Sequence, residues 1–136
     1  MPAHAGERRI MIVEDERVVA DTLGKILSAG GYDVRVAYSA EEALACTTAW
    51  EPDIALLDVM LPNMNGIDLA VALQKPLPNC RILLFSGQPS VEGLLQKAFA
   101  EGHSFEILAK PIHPSVILNK IARLLGSSDS ESLPQA

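Results

Sequence analysis

Four groups of polar residues in this 136-residue chain stand directly after short aliphatic runs. Glu14-Asp15-Glu16 follows Ile10-Met11-Ile12-Val13, and Asp58 follows Ile54-Ala55-Leu56-Leu57. Ser86-Gly87 follows residues 81–85, and Lys110-Pro111 follows residues 105–109. Carboxylates, a hydroxyl and an ammonium gathered at one place have a definite chemistry. Two carboxylates about 4 Å apart repel by roughly 4 kcal/mol at an effective dielectric of ~20, so something must offset their charge. A hard divalent cation does so. Mg2+ takes oxygen ligands, uses one or two carboxylates, and fills its octahedron with water and phosphate oxygens. With a lysine alongside, the charge on a transferring phosphoryl group is neutralised from two sides, and a carboxylate can act as nucleophile to form an acyl phosphate.

Those groups meet only in a fold that brings the ends of the aliphatic runs together. Residues 10–13, 34–37, 54–57, 81–85 and 105–109 read as five short strands. Helical spacing runs from Arg17 to Ala29 and stops at Gly30-Gly31. Ser39 with Glu42 forms a capping box, opening a helix that ends before Pro52. The loop 61–66 leads into a helix through Leu73. Val91, Leu94, Leu95, Ala98 and Phe99 mark a fourth helix ended by Gly102, and Pro114 opens a last one over 115–125, with Gly126 past its end. Aliphatic strands alternating with amphipathic helices predict an α/β fold, a doubly wound (βα)5 three-layer sandwich. Its parallel five-stranded sheet takes the flavodoxin-like order 2-1-3-4-5. Ligands in such a sheet bind beyond the carboxyl ends of the strands, where strand order reverses. All four polar groups fall on that rim.

Composition narrows the alternatives. A net charge of −6, 4% aromatic residues and no Lys/Arg cluster argue against direct nucleic-acid binding. Cys46 and Cys80 form no CxxC pair and lack neighbouring histidines, which disfavours zinc; two free thiols suit a reducing cytoplasm. No apolar run approaches the ~18 residues of a membrane span, and residues 1–9 lack a signal-peptide apolar stretch. The expectation is a cytoplasmic protein with an N-terminal extension (1–8), one domain (9–126) and a frayed polar tail (127–136).

The four markers MIVEDE, LLDVMLPNMNG, LLFSG and LAKP occur in this order, and with them the chain resembles the receiver domain of bacterial two-component response regulators from about residue 9 to 125. The resemblance implies a phosphoacceptor, charged by a sensor histidine kinase or a histidine phosphotransfer protein, that signals to another protein by contact. It implies that Asp58 accepts the phosphoryl group, that Asp15 binds Mg2+ directly, and that Glu14 helps hold the metal. Met60 would supply a backbone carbonyl to the metal, Lys110 would pair with the phosphoryl group, and Ser86 would be the switch hydroxyl. Such a domain catalyses its own phosphorylation and dephosphorylation and is not a turnover enzyme. In this family the Lys110-Pro111 bond is often cis. With no room for an output module after residue 125, a stand-alone regulator or phosphorelay intermediate is expected.

Ile107 departs from the pattern, standing where the family usually has Tyr or Phe three residues before the lysine. Phe105 lies two residues earlier and does not substitute directly. The segment FEILAKPIHP also departs from the commoner family ending, so the partner-facing surface is expected to differ. Met60 and Gln88 flank the reaction centre and are expected to tune hydrolysis. Simpler roles exist: Asp15 could cap the first helix, Lys110 could be a surface lysine and Ser86 a strand-end hydroxyl. His103, His113 and Gly93 read as surface or capping positions, and Trp50 as the closure of the second helix. An interaction module that keeps the fold without phosphorylation is the alternative, favoured only by Ile107. A Mg2+-dependent phosphatase fits less well, since it wants a second Asp where Met60 stands. Flavin phosphate would be repelled by residues 14–16.

Overall fold

Aliphatic residues on both faces of a strand can be satisfied only between two layers of helices, and this is how the chain folds. The computed structural model describes residues 8–87, 96–97, 99–102 and 105–126. Its strands are β1 (Arg9–Val13), β2 (Asp33–Ala37), β3 (Ile54–Asp58), β4 (Arg81–Ser86) and β5 (Glu106–Ala109). They pair in parallel in the order β2-β1-β3-β4-β5, as expected. The helices are α1 (Arg17–Ala29), α2 (Ala40–Cys46), α3 (Gly66–Gln74) and α4 (Pro114–Leu125). Of the helix expected around 91–99, residues 96–97 and 99–100 are helical; Val91, Gly93, Leu94, Leu95 and Ala98 lie outside the described residues. Gln88, His103 and the tail also lie outside them, as do residues 1–7 of the extension.

Strand periodicity divides the core in two. Met11, Val13, Ala55, Leu57 and Leu84 face a cluster with Ala40, Ala43, Leu69, Ala70 and Leu73 beneath α2 and α3. Their neighbours Ile10, Ile12, Ile54, Leu56, Leu83 and Phe85 face Leu23, Leu27, Ile117 and Ile121 beneath α1 and α4. Each fully buried Leu- or Ile-sized side chain contributes about 1.5–3 kcal/mol, so these two clusters dominate the stability of the sheet.

The helix ends explain where the loops begin. Ser39 Oγ accepts a hydrogen bond from Glu42 N at 3.0 Å, while Glu42 Oε1 accepts from Tyr38 N at 2.9 Å, so the box closes one residue early. Helix α2 stops at Cys46 because the Thr47 and Thr48 hydroxyls donate to Leu44 O and Ala45 O. Trp50 N then donates to Cys46 O at 3.1 Å, and its ring, 4% exposed, closes that end of the core. Asp15 does not cap α1. The cap position is Glu16, which makes no side-chain cap bond, and Gly30 with Gly31 at φ +99° ends the helix. Pro114 takes the first position of α4 and Gly126 follows its last.

Candidate functional site

Strand β1 delivers the first carboxylates. Glu14 N continues the ladder by donating to Ala37 O at 3.1 Å, which turns the Glu14 side chain inward to 0% exposure. Asp15 is exposed beside it. Asp58 is the last residue of β3 and 3% exposed; its Oδ1 accepts from Met60 N at 3.1 Å. One oxygen from each of Glu14, Asp15 and Asp58 lies within 4.8 Å of the others. Three carboxylates make an all-oxygen donor set, the kind a hard divalent cation such as Mg2+ takes.

Lys110 arrives from the far side of the sheet. Its backbone N donates to Ser86 O at 2.9 Å, continuing the β4·β5 ladder, and the bond to Pro111 is cis. The side chain crosses over Phe85, with Nζ 5.0 Å from the ring centroid. It donates to Glu14 Oε1 at 2.8 Å and to Asp58 Oδ2 at 3.3 Å. The lysine thus carries out part of the charge compensation that acidic groups at this spacing require. Ser86 is buried at the end of β4, one residue beyond Phe85, the strand partner of Asp58. Met60 exposes its side chain while its backbone adjoins Asp58.

Burial, and then the Glu14 charge, push the Asp58 carboxyl up to about 6; the Met60 N–H and Lys110 oppose the shift. Burial pulls Lys110 down, but its hydrogen bond to Glu14 and the charges of Asp58 and Glu14 outweigh it and hold the ammonium above the ordinary lysine range.

The loop after Asp58 is held by a close backbone approach. Gly66 N donates to Val59 O at 2.8 Å. A Cβ on Gly66 would lie 2.8 Å from the Asp58 carbonyl carbon and 2.9 Å from Val59 Cα, and would also strike the Asp58 carbonyl oxygen. These are backbone atoms and cannot swing aside. Gly66→Ala is therefore expected to cost about 1–3 kcal/mol, as overpacking does, and to displace Asp58. Chemical denaturation would measure the loss, and an unchanged midpoint would contradict the contact.

The acidic cluster and its bridging lysine stand at the order reversal of an open parallel sheet, where such sheets bind ligands. The chain matches the response regulator receiver domain family over residues 10–122 and belongs to it. A CheY-like receiver domain protein from Methanospirillum hungatei JF-1 superimposes with a TM-score of 0.82 at 30% identity, covering 93% of this chain and 99% of that one. The response regulator TrrA from Thermotoga maritima, solved in complex with Mg2+ and BeF, gives 0.75 at 25% identity over 86% and 98% of the two chains. Response regulator MprA of Mycobacterium bovis is 29% identical over 128 residues, 94% of this chain and 55% of the relative. The chain spans about half the length of the curated relatives it matches.

Glu14, Asp15, Asp58 and Lys110 come together as the sequence predicts, with Ser86 and Met60 on the same rim. Three features were missed. Lys110 lies closer to Glu14 than to Asp58, Gly66 packs on the backbone of Asp58 and Val59, and Tyr38 bonds to α1 beside the acids. Glycine at the first position of α3, just after the Asn65 cap, was the available signal for Gly66. Ile107 is half-buried and packs with Phe105 against the cluster beneath α2 and α3. Among the described residues no helix is long and apolar enough to cross a membrane.

Proposed function

We propose that Asp58 accepts a phosphoryl group from a phosphohistidine donor. An Asp58 oxygen attacks phosphorus, the P–N bond breaks, and the histidine nitrogen departs with the electron pair. Water later attacks the acyl phosphate, releases inorganic phosphate and resets the switch. The bridging position of Lys110 between Glu14 and Asp58 carries this reading. Lys110 transfers its hydrogen bonds from the carboxylates to the phosphoryl oxygens, while the Met60 N–H keeps the Asp58 carboxyl oriented. Glu14, Asp15, Asp58 and the Met60 carbonyl would hold Mg2+. When bound, the ion neutralises charge on the transferring group. The Ser86 hydroxyl then donates to a phosphoryl oxygen and relays the modification to the surface of the domain.

The donor is a sensor histidine kinase or a histidine phosphotransfer protein, and it docks on α1. An apolar groove of about 490 Å³ lies between Val18, Thr22 and Ile26 of α1 and Pro111-Ile112, with Lys110 in its wall. A helix presenting a phosphohistidine would seat its apolar side there and its phosphoryl group over the acids. The domain modifies itself and turns over no free substrate. A donor charged from ATP places its work in the cytoplasm, and the output passes by protein contact. Incubation with acetyl phosphate and Mg2+ is expected to add one phosphoryl group per chain, and EDTA to prevent it. Uptake that persists unaltered in EDTA would remove the metal from the mechanism.

A further inference from the structure

The segment that carries Asp15 is bracketed by two consecutive residues, Ala37 at the end of β2 and Tyr38 just after it. At one end, Glu14 N is bonded to Ala37 O. At the other, the Arg17 guanidinium lies 4.0 Å from the centroid of the Tyr38 ring. The Tyr38 hydroxyl reaches further along α1 and donates to Asp21 Oδ1 at 2.6 Å. Tyr38 is itself fixed from behind, since its backbone N donates to Glu42 Oε1. The start of α1 is also tied by Glu16 N, which donates to Glu14 Oε2 at 2.9 Å, but Glu16 makes no side-chain cap bond and the first turn contains no acidic residue. Among the described residues none donates a hydrogen bond to the exposed Asp15 carboxylate, so its position follows the backbone between Glu14 and Arg17.

We propose that Tyr38 is a positioning residue for the divalent-cation site. By clamping the first turns of α1 through Arg17 and Asp21, it sets where the Asp15 carboxylate stands relative to Glu14 and Asp58. The inference rests on the metal role given above to Asp15. Tyr38 touches neither the metal nor the phosphoryl group, so its loss raises the Mg2+ concentration required and leaves the rate at saturation alone.

Mg2+ binding to the full chain by isothermal titration calorimetry tests this directly. Tyr38→Ala changes no formal charge, and its Kd is expected to rise about five-fold, about 1 kcal/mol. With acetyl phosphate as donor, the Mg2+ needed for half-maximal phosphorylation should rise by the same factor, with an unchanged maximal rate. Tyr38→Phe keeps the ring against Arg17 but loses the bond to Asp21, and should fall between. A Tyr38→Ala Kd within about two-fold of wild type, or a lower maximal rate at unchanged Kd, overturns the inference. Should Tyr38→Ala fail to fold, Tyr38→Phe decides: a Kd raised about two-fold supports the clamp and an unchanged one overturns it. A wild-type chain that binds no Mg2+ removes the site reading as well, whereas an unresponsive Tyr38→Ala beside a binding wild type removes only the clamp.

Discussion

Asp58→Asn is expected to reduce phosphoryl uptake from acetyl phosphate to background while making the metal-free protein more stable. The amide of asparagine is a far weaker nucleophile than the carboxylate it replaces. The gain in stability follows from burial. Asp58 is 3% exposed and its carboxyl is pushed up to about 6 by that burial and by Glu14. A carboxyl whose folded pKa is raised gives its full stability below the unfolded value near 4, and loses it as pH rises through about 6. At neutral pH the ionised group is therefore a cost. Asparagine has nearly the same volume, keeps an acceptor for the Met60 N–H, and should recover about 1–2 kcal/mol. Thermal melts in EDTA would show wild type losing stability between about pH 4 and 6 relative to Asp58→Asn. Parallel pH profiles for the two proteins would contradict the raised carboxyl.

Lys110→Ala is expected to have the opposite effect on stability. Glu14 at 0% exposure and Asp58 at 3% would face each other without their shared cation. Removing one partner of a buried pair costs about 3–5 kcal/mol. The Lys110 side chain is 23% exposed, and solvent screening brings the cost below that range, to about 2–3 kcal/mol in EDTA. Mg2+ should restore a large share, because the ion supplies the charge the lysine no longer does. Phosphoryl uptake should remain slow even at saturating Mg2+, since no ammonium then meets the transferring group. Urea titrations with EDTA or Mg2+ measure the first effect. A variant as stable as wild type in EDTA would mean that the bridge carries no weight.

Much of this architecture was legible in the chain because strand burial is a local property. Runs such as Ile54-Ala55-Leu56-Leu57 have no polar face to turn to water, which requires helices on both sides and hence parallel pairing. Once the strand order followed, the polar residues closing each run had to share one rim. Side-chain reach was not legible. Lys110 and Glu14 are 96 residues apart, and their contact depends on the lysine crossing the Phe85 ring to reach β3 and β1. The early end of α2 depended on the hydroxyls of Thr47 and Thr48, which compete with continued helix. Tyr38 gave no warning as a single aromatic after a strand, because its partners Arg17 and Asp21 belong to another element. Gly66 could be read as a turn residue, yet its requirement is steric and comes from the Asp58 backbone.

Trapping the modification chemically tests the central claim most directly. After incubation with acetyl phosphate and Mg2+, borohydride reduces an aspartyl phosphate to homoserine, and peptide mass mapping locates it. The account predicts homoserine at position 58, dependent on Mg2+ and on acetyl phosphate. No homoserine, or homoserine at any other aspartate, would contradict it.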